Sequence, residues 1–139
     1  MSENTNRSPL TTIEAFEAGA FRVAHVSRQL LAEHPSLPVR EIRPATIAFQ
    51  GPATTHAKLE ISTNDVDGVR AWANALGTTV SVAFYDARGV SMAFEHHEAQ
   101  VTVGGVEVTV TATRHDLTEE ELTAWRIAQD RTVAEGGDR

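Results

Sequence analysis

The chain contains no cysteine. This excludes a disulfide framework, a thiolate zinc site, an iron–sulfur cluster and a cysteine nucleophile. Lysine is almost as scarce. Of the twelve basic residues only Lys58 is not arginine, and nineteen Asp and Glu leave a formal net charge of −7. A protein that grips nucleic acid through its phosphates needs a basic face. Here the basic residues are scattered, with Arg40 and Arg43 the closest cluster. No apolar run approaches the ~18 residues that span a membrane. Met1 to Pro9 lacks the apolar core of a signal peptide. The expectation is a cytoplasmic protein that touches no membrane. No serine sits in a nucleophile elbow, no Ser/His/Asp set is recognisable, and no cofactor motif occurs.

What the chain does have is alternation. Val101 to Ala112 reads as a β-hairpin turning on Gly104-Gly105, two residues able to adopt the positive φ of a tight primed turn. The two-residue loop sets Val103 against Val106 and Val101 against Val108. Those valines then share a face with Val110 and Ala112, while Thr102, Glu107, Thr109 and Thr111 share the other. One apolar and one polar face is the pattern of a sheet covered on one side only.

The remaining elements follow from periodicity and punctuation. Thr11 and Glu14 have capping-box spacing, and Ile13, Phe16, Ala20, Val23 and Leu30, widened by Val26 and Leu31, predict a helix that stops near Glu33, before Pro35. Val39 to Gln50 predicts a strand with Ala45, Ile47 and Phe49 alternating, and Pro44 points to an edge or a bulge. Ala57, Leu59 and Ile61 mark a second strand. Asn64 is placed to cap a second helix carrying Val66, Val69, Ala73 and Leu76 on one stripe, with Trp72 on its shoulder and Gly77 as C-terminal cap. Thr79 to Asp86 predicts a third strand. A type I turn with a glycine bulge at Asp86 to Gly89 would set Phe84 opposite Met92 and Val82 opposite Phe94. Val90, Met92 and Phe94 are apolar at even positions, but Val101 and Val103 at odd ones. A β-bulge near His96-His97 within one long strand, 90 to 103, accounts for that change of phase. Thr118 and Glu121 form a second capping box for a short last helix containing Leu122 and Trp125.

The expected fold is therefore α+β, in the order α-β-β-α-β-β-β-α: a five-stranded, mostly antiparallel sheet with helices packed on one face. A single domain over residues 11–133 is expected between a disordered lead, 1–10, and a frayed end, 134–139.

Three sets of residues could carry function. Trp125 and the polar hairpin residues Thr102, Glu107, Thr109 and Thr111 suit a protein interface, since tryptophan anchors interfaces and an uncovered sheet face can receive a partner. Arg28, Arg40 and Arg43 could touch DNA if they converge. His96, His97 and His115 could ligate a metal, although adjacent strand residues point to opposite faces unless a bulge redirects one of them.

Leu37-Pro38, the segment Val69-Arg70-Ala71-Trp72-Ala73-Asn74-Ala75-Leu76-Gly77 and Gly104-Gly105-Val106-Glu107-Val108 carry a resemblance. Over residues ~37–115 the chain resembles small uncharacterised actinomycete proteins of phages, plasmids and integrated elements. The resemblance implies an intracellular accessory protein of a mobile element or its host, with no catalytic pattern to carry over. Taken together, the expectation is a non-enzymatic protein that binds another protein, with a homodimer as one form. A DNA-contacting regulator and a metal-dependent enzyme are the alternatives.

Overall fold

A computed structural model describes residues 8–48, 55–87 and 92–137. The elements are α1 (Pro9–Glu33), β1 (Glu41–Ala48), β2 (Thr55–Ser62), α2 (Val66–Leu76), β3 (Val80–Ala87), β4 (Met92–Val103), β5 (Val106–Arg114) and α3 (Glu119–Gly137). The five strands form one sheet in the order β1-β2-β5-β4-β3. β2 and β5 run parallel and every other pair is antiparallel. The expected α+β class, element order and mostly antiparallel sheet are those of the structure. Among the described residues no helix is long and apolar enough to cross a membrane.

The core lies where the valine face of the hairpin meets the first two helices. Val106, Val108 and Val110 of β5 and Leu59 and Ile61 of β2 are fully buried, together with Val69 and Trp72 of α2. α1 lies over β1 and β2, and α2 lies over β4 and β5. Trp72 is deeper than a shoulder position implies, because its indole nitrogen donates to the Pro38 carbonyl at 2.7 Å and His34 meets its ring edge-on. The segment before β1 is thereby tied to α2.

The hairpin has the expected register, Val101 with Val108 and Val103 with Val106. Gly104 and Gly105 hold φ of 55° and 79°, which side chains disfavour. The turn also tucks under α1, where a Cβ on Gly104 would lie 3.1 Å from Val26.

Several local expectations are corrected. The cap of α1 is Ser8, whose hydroxyl accepts from the Thr11 amide at 3.1 Å. Pro9 opens the helix because its fixed φ suits the first turn. Only the second half of the apolar stripe is used. Val23, Val26 and Leu30 are buried, whereas Ile13, Phe16 and Leu31 are exposed. The cap of α2 is Asp65, one residue beyond Asn64, accepting from Gly68 at 2.9 Å. In β1 the covered side carries Ile42, Pro44 and Thr46, opposite Ile61, Leu59 and Ala57. Ala45 and Ile47 consequently face outward, and Phe49 lies outside the described residues.

The largest correction concerns β4. It has no bulge: its residues pair one for one with β3 on one side and β5 on the other. Phe84 opposes Glu95 rather than Met92, and Val82 opposes His97 rather than Phe94. The register is displaced by three residues, and an odd displacement exchanges the two faces. Met92 and Phe94 therefore lie on the outer face, and Glu95 and His97 on the covered one. Asp86 and Ala87 belong to β3, and the rest of the predicted glycine-bulge turn, with Val90, lies outside the described residues.

Gly68 sits where α2 comes closest to Thr63, whose hydroxyl donates to the Asp65 carbonyl at 2.7 Å. A Cβ at residue 68 would stand 2.7 Å from the Thr63 Cβ. Gly68→Ala is expected to destabilise the fold by about 1–3 kcal/mol through overpacking, despite the better helix propensity of alanine. Chemical denaturation checks this, and a neutral or stabilising effect would show that α2 can shift freely.

Candidate functional site

Two surfaces of the sheet carry chemistry, one covered by the helices and one bare among the described residues. On the covered side, β4 carries Glu95 and His97, which are 7% and 4% exposed. Residues two apart on a strand share a face, and His97 Nε2 stands 2.9 Å from Glu95 Oε1. The other oxygen, Oε2, accepts from the Trp125 indole of α3 at 2.7 Å. Arg114, directly across on β5, comes within 3.7 Å of Oε1 and is itself held by both oxygens of Glu121, at 2.6 and 2.9 Å. Trp125 also stacks on Phe84 of β3 at 5.4 Å. Beyond it, Arg126 pairs with Asp86 at 2.9 Å.

This arrangement keeps Glu95 ionised. Burial alone would push its carboxyl up. The hydrogen bonds from His97 and Trp125, with the electrostatic pull of His97 and Arg114, outweigh burial and hold the group below the ordinary value of 4.5. An ionised carboxylate only accepts, so His97 donates from Nε2. The His97 Nδ1 is then buried without a hydrogen-bond partner among the described residues. Glu121 is likewise lowered, first by its hydrogen bond from Arg114.

The bare side carries the predicted interface residues. Thr102 is exposed there, and Glu107, Thr109 and Thr111 are half-exposed, on neighbouring strands β4 and β5. Lys58 faces Glu107 across β2 and β5 at 3.9 Å. At the end near β3 the polar surface becomes aromatic. Tyr85 stacks on Phe94 at 5.1 Å, and His115 tilts against Phe94 at 5.5 Å. Tyr85 is 50% exposed and Met92 52%.

No family model, curated protein or solved structure matches the chain.

Trp125, expected as an interface anchor, is instead half-buried and clamps α3 to the sheet. His96 and His97 point to opposite faces, since no bulge redirects them. His96 lies 3.5 Å from Glu98 on the bare side, and His115 joins the aromatic corner. Among the described residues no three His, Asp or Glu side chains are grouped so as to hold a metal ion. The arginines do not gather either. Arg28 lies on α1, over the covered face, while Arg43 projects from the bare face of β1 and pairs with Glu41 at 2.7 Å. Arg40 precedes β1, its amide bonded to the Ser62 carbonyl.

The sequence reading missed Glu95 as a buried group, and Tyr85, Met92 and Phe94 as a surface cluster. The usable signal was the i, i+2 repetition of Glu and His at positions 95–98, which gives each face of an unbulged strand its own acid–imidazole pair.

Because ionised Glu95 favours the folded state, its contribution is fully present above pH 4.5 and is lost as pH falls through the depressed folded value. Glu95→Gln is expected to cost about 1–3 kcal/mol near neutral pH. It should also make the loss of thermal stability below pH 4.5 shallower than in the wild type. Thermal melts from pH 3 to 7 check this, with the emission that Trp125→Phe removes reporting on α3. An acid limb equally steep in Glu95→Gln would place the titrating group elsewhere.

Proposed function

We propose that this chain is a non-enzymatic binding protein that receives another protein on the bare face of its sheet. The observation that carries the reading is the placement of all three helices on one side. Among the described residues nothing covers the opposite side of the five strands, and exposed Tyr85 and Met92 lie there beside Phe94 and His115 at one end. Aromatic residues and methionine are enriched at the centres of protein interfaces. Here they adjoin a field of threonine and paired charges able to form a polar rim. The accessory role in a mobile element that the resemblance implies belongs to the same proposal. DNA contact and metal chemistry draw less support, since the three arginines and the three histidines are dispersed.

The test begins with a partner captured from cell extract and identified. Its affinity is then measured for the wild type, for Tyr85→Ser/Met92→Ser, and for Gln29→Ala on the exposed side of α1. The double variant is expected to keep its circular dichroism and lose at least about tenfold in affinity, as truncation of a central contact does. Gln29→Ala should bind as the wild type does. Unchanged binding by the double variant would move the site off this face.

A further inference from the structure

The two edges of the sheet are built differently. The outer edge of β1 carries Pro44, which lacks a backbone donor, and the ion pair of Glu41 with Arg43. Proline and charge are the usual means of keeping an edge from pairing with another strand. β3 has no proline, and its one charge, Asp86, lies near the strand's end, where it is paired with Arg126 of α3. Val80-Ser81-Val82-Ala83-Phe84-Tyr85 is uncharged, contains no proline or glycine, and is rich in the residue types that favour strands. Among the described residues β3 pairs with β4 alone. The Phe84 carbonyl meets the Gln129 side chain at 3.5 Å, the outer limit of a hydrogen bond. By the two-residue repeat of a strand, the carbonyls of Val80 and Val82 turn to the same side. Val82 itself is 40% exposed on the face the helices cover.

We infer that the β3 edge is the site at which a second copy of this chain adds its own β3, antiparallel, to give a continuous ten-stranded sheet. The occupant is a second copy for reasons of charge and closure. The chain has a net charge of −7, so self-association is opposed except where the contacting segment is neutral, and Val80 to Tyr85 is neutral. An antiparallel strand pair is self-complementary about a two-fold axis, and the guarded β1 edge cannot extend the sheet further. One bare edge and one guarded edge therefore give a closed dimer rather than a filament. Faces match when the axis passes through Val82. Val82 then covers Val82, Val80 meets Phe84, and Asp86, already paired with Arg126, falls opposite Thr78 of the second copy, away from its like charge. The inference concerns the edge and stands independently of what docks on the bare face.

Light scattering after size exclusion, over a concentration series, tests it. The wild type is expected at twice the chain mass. Val82→Pro, which removes one edge donor, and Val82→Lys, which places a charge at the axis, are expected at the mass of one chain. Phe16→Ser, on the exposed stripe of α1, should remain a dimer. The absence of cysteine makes a second readout clean. Val82→Cys should form a disulfide-linked dimer on mild oxidation several-fold faster than Tyr85→Cys. A monomeric wild type would overturn the inference. So would a dimer lost in Phe16→Ser but kept in both Val82 variants, or cross-linking equally fast from the two cysteine positions.

Discussion

The fold is organised around a carboxylate that should not be comfortable where it lies. Glu95 is taken out of water on the covered face of the sheet, a position that disfavours charge. It is tolerated because three groups from three places converge on it: His97 from its own strand, Arg114 from the neighbouring strand and Trp125 from the last helix. Two features depend on that convergence. The odd positions of β4 are kept inward along their whole length, which fixes the register with β3 and β5. And α3, whose described side chains add little to the main core, gains a defined seat on Phe84.

Much of the architecture was legible in the residues. The hairpin at Gly104-Gly105, the caps Gly77 and Thr118, and the element order all follow from local rules that act over a few residues, and the structure contains them. Register across β3 and β4 did not follow. Matching apolar to apolar places Phe84 against Met92. That rule fails where a buried polar pair satisfies itself, because Glu95 and His97 can then occupy the covered face and Met92 and Phe94 the open one. The partner that makes this possible, Trp125, is thirty residues away in the chain, beyond the reach of any periodicity. The same blindness applied to α1. Its stripe is continuous in sequence from Ile13 to Leu30, but the sheet beneath buries only the later part.

Of the candidate site, the polar hairpin residues were legible as one outward face, since alternation alone decides it. The aromatic corner was not, because it follows from the register. Trp125 stood out in the sequence as an interface candidate, and the contacts the structure gives it are internal ones, to Glu95 and Phe84. The dispersal of the histidines and arginines shows why neighbours in sequence are weak pointers to a site on a sheet. Adjacent strand residues are separated by the thickness of the backbone layer, and His96 and His97 each pair with a different glutamate.

The central parallel pair has a bearing on how the chain is made. β2 finds its inner neighbour only when β5 exists, since Lys58 is set against Glu107, and α1 rests on a turn that belongs to Gly104. Helix α1 can thus settle on β1 and β2 before β5 has emerged, but it lacks its contact with the Gly104 turn until then. Contacts so distant along the chain slow folding. During synthesis β2 therefore keeps one side without its strand neighbour until β5 arrives.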